Sequence, residues 1–177
     1  MNRRLVLLVA LAASLIAPAL VEAGDTHGQS LSAVTGQGAG MVNLTSIPGE
    51  AGLTVQVTVN VHQTAPNATF YIQRAPEIGR PLGTDGICQR ANGLWPWEQP
   101  NSPGFAAAPE FVSVPLPLAG DLKTVTTDAD GSGSTHFALN FPAIPDGIVF
   151  DVQFRLIDSL TAPTTNLQTG CFAVTAK

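Results

Sequence analysis

Apolar and polar residues alternate with a period of two through most of this chain. Leu53, Val55, Val57, Val59 and Val61 share one side, and Thr54, Gln56, Thr58, Asn60 and His62 share the other. A helix would scatter these residues around its circumference, and the β-branched richness also favours a strand. Residues 69–74 repeat the pattern, with Phe70 and Ile72 opposite Tyr71 and Gln73. So do residues 135–141, where Phe137, Leu139 and Phe141 alternate with His136, Ala138 and Asn140. The strongest strand is predicted over 148–157. Phe150, Val152, Phe154 and Leu156 form its apolar side, and Asp151, Gln153 and Arg155 its wetted side. Shorter strands are expected over 39–47, 122–127 and 167–176. Residues 111–118 read as an edge strand or extended crossover, because Pro115 and Pro117 cannot donate to a ladder. Turn signals separate these runs: Pro48-Gly49, Pro66-Asn67, the dense Asp128–Gly133 stretch, and Asp146-Gly147.

Three stretches lack the pattern. Residues 1–23 read as a secretory signal peptide. Arg3 and Arg4 precede an apolar run over 5–20, and Val21-Glu22-Ala23 supplies the residues a signal peptidase reads. A membrane anchor is the competing reading, but a bilayer needs about 20 apolar residues and Pro18 interrupts the run. Residues 24–38, polar and rich in Gly, Gln and Ser, are expected to be a flexible N-terminal arm. Residues 75–110 form a long irregular loop crowded with proline and glycine, of the kind that often carries function. The folded domain is then expected over 39–177.

This gives an all-β fold, an antiparallel two-sheet sandwich of about seven or eight strands, with no helix after the leader. The turn Thr126-Thr127-Asp128-Ala129-Asp130-Gly131-Ser132-Gly133, the aromatic strand after it and the strand Gly147-Ile148-Val149-Phe150-Asp151-Val152-Gln153-Phe154-Arg155 resemble the closing half of secreted bacterial immunoglobulin-like sandwiches. The resemblance covers about a fifth of the chain and implies an extracellular immunoglobulin-like fold without implying an active site.

Composition narrows the setting. Removing Arg3, Arg4 and Glu22 with the leader leaves six basic residues against twelve acidic ones. An acidic protein is a poor partner for nucleic acid. No second apolar span follows the leader, so no membrane span is expected after its cleavage, and the protein is expected outside the cytoplasm, extracellular or periplasmic. The two cysteines, Cys88 and Cys171, would then meet oxidising conditions, where a pair usually bridges. Such a bridge closes a long loop and contributes about 4–5 kcal/mol in the chain-entropy description. Neither cysteine sits in a C-x-x-C or near a histidine at ligand spacing, so a redox or metal thiol is a weak alternative.

Candidate chemistry is sparse. Asp128, Asp130 and Ser132 follow the opening of a calcium loop, with Gly131 at the sharp bend. The twelfth position of such a loop needs a bidentate carboxylate, and here it is Leu139 within a strand. A hairpin turn is therefore the expected role, and calcium, completed by Asp121 or Asp146, the alternative; no other cofactor is expected. The long loop holds Arg90, Trp95, Trp97 and Glu98. Aromatic rings flanked by polar groups can stack on sugars or anchor a protein interface, though they can equally cover the end of a sandwich. His27, His62 and His136 form no paired motif. Gly131-Ser132-Gly133-Ser134 is not a nucleophile elbow, and nothing sets the separation of Glu77, Glu98 and Glu110 for glycosidase work. Asn43-Leu44-Thr45 and Asn67-Ala68-Thr69 fit the glycosylation triplet, which matters only in a glycosylating host. The expectation is a secreted, non-catalytic protein with a structural or adhesive role, its partner unknown. The first alternative is a carbohydrate- or small-ligand-binding module acting on a glycan or surface protein through residues 95–98. A hydrolase is the weaker third.

Overall fold

The computed structural model of the protein describes residues 25–47, 52–78, 83–88, 111–115 and 120–176. Among them are ten strands and no helix: β1 (Thr26–Thr35), β2 (Ala39–Ser46), β3 (Leu53–His62), β4 (Thr69–Pro76), β5 (Val112–Ser113), β6 (Thr124–Thr126), β7 (Gly133–Phe141), β8 (Val149–Ile157), β9 (Asn166–Gln168) and β10 (Phe172–Thr175). They form one antiparallel hydrogen-bonded sheet in the order β5-β4-β8-β9-β1-β2-β3-β7, with β6 joined to β4 and β10 to β8. The sheet curls into a half-barrel with its apolar face inside.

The period-two reading holds where it was strongest. Leu53, Val55, Val57, Val59 and Val61 are all buried, as are Phe150, Val152, Phe154 and Leu156. Phe70, Ile72, Phe137 and Leu139 join them in a single core shared by both arms of the curl. Each inward side chain is worth about 1.5–3 kcal/mol in removed apolar surface. Burial on one parity also holds the register, since a one-residue slip would turn the whole row outward.

The N-terminal stretch corrects an expectation. Residues 26–35, read as part of a flexible arm, form β1. That strand pairs with β2 over seven registered positions and, with an irregularity between Ala33 and Thr35, with β9 on its other edge. Only Leu31 is buried in it. Gly28, Ser30 and Ser32 do alternate with Gln29, Leu31 and Ala33, but too little apolar contrast accompanies the alternation for it to read as a strand. Two neighbouring ladders order a segment that its own side chains would not. The folded unit therefore begins by Thr26, not at Ala39.

Two strands are broken rather than absent. β9 and β10 run along the same edge of β8, β9 against Arg155–Ile157 and β10 against Val149–Val152. Between them Thr169 inserts its hydroxyl into the ladder, accepting the Phe154 N–H at 2.9 Å. The expected strand over 167–176 is thus interrupted at Thr169, Gly170 and Cys171. On the far edge of β4, the described part of the expected edge strand over 111–118 pairs only through the two residues of β5, which end just before Pro115.

Candidate functional site

The acidic stretch between β6 and β7 is a tight turn rather than the expected hairpin, because β6 pairs with β4 and β7 with β3, and the two do not pair with each other. The Asp128 N–H donates to the Ser132 carbonyl at 2.8 Å. Its carboxylate oxygen Oδ1 accepts the N–H groups of Asp130 and Ser132, both at 2.9 Å. These bonds fold the side chain onto its own backbone, the local Asp chemistry that defines such turns. Gly131 has φ +71°, and a Cβ there would lie 2.2 Å from the Thr64 carbonyl oxygen. That closeness arises because Thr64 grips the turn, donating its N–H and its hydroxyl to the Gly131 carbonyl at 3.1 and 2.9 Å. Thr127 works from the other side, its hydroxyl donating to the Ala65 carbonyl at 2.7 Å and accepting the Ala68 N–H at 3.0 Å. Asp128, Asp130 and Ser132 are thus together at one turn, locked to the loop over 63–68. Among the described residues, no group of three His, Cys, Asp or Glu side chains lies together as a metal site would need. The sequence pointed to the turn but not to Thr64 or Thr127, whose partners lie far away along the chain.

Cys88 and Cys171 are joined in a disulfide spanning 83 positions, with Cα atoms 5.3 Å apart. The bond ties the segment over 83–88 across the outer side of β8. That segment accepts the Asp151 N–H through the Gly83 carbonyl at 2.7 Å, and the Gly86 N–H donates to Asp151 Oδ2 at 2.7 Å. Asp151 is consequently fully buried, not wetted as its parity predicts. Its carbonyl accepts the N–H of Glu77, another buried acid. Further along the same outer side, Arg155 lies over the Phe111 ring, 4.4 Å from its centroid, and donates from Nε to Gln73 Oε1 at 2.6 Å. Gln73 in turn donates to the Ser113 hydroxyl at 3.0 Å. Burial pulls the Arg155 guanidinium below its ordinary value.

Arg90, Trp95, Trp97 and Glu98 lie outside the described residues, as do Glu110 and the leader. In the sequence those four follow Cys88. The histidines do not converge: His27 lies opposite Leu44, His62 opposite Ala39, and His136 opposite Thr58. His136 Nδ1 is 3.0 Å from the Thr58 hydroxyl on the open outer face.

Inside the curl, a cavity of about 30 Å³ is lined by residues of both arms, among them Val57, Leu139, Phe154 and Val174. This is room on the scale of water, far below an ordinary ligand pocket. Arg74 also lines it, 7% exposed, with its guanidinium carbon 4.8 Å from the Phe141 ring centroid. The position follows from parity, since Arg74 continues the Phe70 and Ile72 row to the end of β4.

The fold and the cross-link define an all-β, disulfide-linked protein. No protein-family model, curated protein or solved structure matches the chain.

Proposed function

We propose that this is a secreted, non-catalytic protein of the immunoglobulin-like sandwich type, exported on the leader over 1–23, with a structural or adhesive role at the cell surface or in the surrounding medium. The observation that carries the reading is the Cys88–Cys171 disulfide. Such a cross-link persists in oxidising compartments and suits a protein that works outside the cytoplasm. Two further features support it. The two arms of the sheet face each other across one core, as the layers of a sandwich do. The Asp128 and Asp151 carboxylates accept backbone N–H groups of turns and loops, so they serve the fold.

Expression with the native leader, followed by fractionation and intact-mass measurement, tests the export. The expected product starts at Gly24, lies outside the cytoplasm and has no titratable thiol when unfolded without reductant. A cytoplasmic product with two free thiols overturns the reading. Retention of the purified protein on envelope fractions of the producing cell tests the adhesive role, and a protein that stays entirely in the wash defeats it.

A second reading, glycan binding through Trp95, Trp97, Glu98 and Arg90, draws support from the anchored start of their loop at Cys88. Here Trp95→Ala or Trp97→Ala abolishes retention on a glycan array while the melting temperature holds. Equal retention by both variants and the parent excludes the loop as the site.

A further inference from the structure

The two ends of the sheet are finished differently. At one end, β5 has two residues and runs into Pro115, and β6 has three residues, with Asp121 and Lys123 just before it. Short strands, proline and charge are the usual devices that stop an edge from pairing with another chain. At the other end lies β7, nine residues long, registered with β3 over its whole length without a bulge. Its sequence, Gly133-Ser134-Thr135-His136-Phe137-Ala138-Leu139-Asn140-Phe141, contains no Asp, Glu, Lys, Arg or Pro. Among the described residues no strand bonds to its second edge. Beyond its start, where Thr126 of β6 lies against Gly133 and Lys123 reaches over Phe137, the edge has no bulge, proline or charged residue of its own.

We infer that the open edge of β7 is a pairing surface for a second copy of this chain, β7 against β7, antiparallel across a two-fold axis. The proposal goes beyond the structural or adhesive role and does not depend on it.

Charge selects the occupant. The protein carries a net charge of −5, which opposes association of like copies in general. Yet β1, β2, β3 and β7 contain no Asp, Glu, Lys or Arg at all. Two copies that meet at β7 bring together the arms of the sheet that carry none of that charge. Lys123 reaches the inner side of this flank, its Nζ 5.9 Å from the Phe137 ring centroid. It leaves the outer row of His136, Ala138 and Asn140 uncharged.

Geometry selects the register. At the start of β7 the edge is crowded, since a Cβ on Gly133 would lie 2.5 Å from the Thr126 carbonyl oxygen. At the end, the Phe141 carbonyl already accepts the Ile144 N–H at 3.0 Å. The stretch between these limits, His136 to Asn140, has Ala138 at its centre. A two-fold axis at Ala138 sets His136 opposite Asn140 of the second copy on the outer side and Phe137 opposite its Leu139 on the inner side. Antiparallel self-pairing about a residue always matches like parities, so each copy's apolar row extends the other's. The small Ala138 side chain stands at the axis, where two larger ones would collide.

Sedimentation velocity on the secreted protein, from low micromolar to several hundred micromolar, tests the pairing. A monomer–dimer equilibrium is expected. Ala138→Lys, at an exposed position, is expected to weaken it at least about tenfold, because like charges then face each other across the axis. Ser30→Lys, exposed on the same outer face but on β1, three strands away from β7, should leave the equilibrium unchanged. A parent protein that stays monomeric at the highest concentration overturns the proposal. So does dissociation by Ser30→Lys as complete as by Ala138→Lys, which would mean that copies stack face to face. Hydrogen exchange on the parent alone gives a second test: amide protection over 136–140 rises with concentration, and protection that does not change overturns the proposal.

Discussion

β3 and β8 carry the same alternation, yet their outer sides lie in opposite environments. On β3, Gln56, Asn60 and His62 are exposed, and the neighbouring outer rows of β2 and β7 carry no charged side chain. The contacts there are between neighbours, such as Thr26 with Thr45 at 3.2 Å and Asn140 with Thr54 at 2.5 Å. On β8, Asp151 is sealed under the segment over 83–88, and Arg155 is held by Phe111 and Gln73. Alternation states which row enters the core. It does not state whether the other row meets water, because that depends on a remote segment crossing over it, and here a disulfide decides where that segment lies.

The largest effect expected from this difference comes from removing the cross-link. Cys88→Ser with Cys171→Ser should lower stability by about 4–5 kcal/mol, since the closed loop is long. The loss should be uneven. Hydrogen exchange is expected to rise first at Gly86 and Asp151, beneath the released segment, while β3 amides keep their protection until global unfolding. Uniform acceleration in both regions would remove the distinction between a stapled side and a self-sufficient one.

A paired substitution sharpens the same contrast. Asp151→Ala deprives the Gly86 N–H of its acceptor inside the protein and is expected to cost about 1.5–3 kcal/mol. Thr58→Ala, of the same outward parity but open to water, should change stability by no more than about 0.5 kcal/mol. Urea unfolding of both variants, with equal slopes, measures the difference. Equal costs would mean that parity alone sets the role of an outward residue.

Much of the inner architecture was legible in the sequence, because Val, Phe and Leu at every second position leave few other ways to hide that surface. The rows of β3, β7 and β8 and the turn at Asp128 follow from it. β1 was not legible, because its order comes from ladders on both edges while Leu31 is its one buried residue. Asp151 was misread for a related reason: its neighbours Gly83 and Gly86 are far away along the chain and carry no signal of their destination. Thr64 and Thr127 are ordinary residues whose value lies in meeting one turn from two sides. Of the candidate site residues, the two cysteines could be paired from the count alone. Trp95, Trp97, Glu98 and Arg90 lie outside the described residues.

A smaller effect is expected at Arg155. Arg155→Ala removes the contact with the Phe111 ring and the bond to Gln73, and should cost about 1 kcal/mol. Arg155→Lys keeps the charge but loses the planar face that lies over the ring, so it should recover less than half of that cost. Full recovery by lysine would mean that charge, rather than the layered contact on this side of β8, holds the segment around Phe111.

The smallest effect is a pH dependence at Asp158, just after β8. This acid is only half-buried and makes the contrast with Asp151 within one arm of the sheet. Its slight burial favours the neutral form, but the Thr164 hydroxyl and the N–H groups of Thr165 and Thr164 donate to the carboxylate and outweigh that, holding the group below the usual carboxylate range. The folded carboxyl therefore binds its proton at lower pH than the unfolded one. Its stabilisation is complete above the unfolded value and is lost as pH falls through the folded value. Asp158→Asn should lower the melting temperature slightly at neutral pH and make no difference once the pH lies below the folded value. Melting curves for both proteins should converge on acidification. Curves that stay parallel to the lowest pH would mean that the loop is held by shape and not by the charge on Asp158.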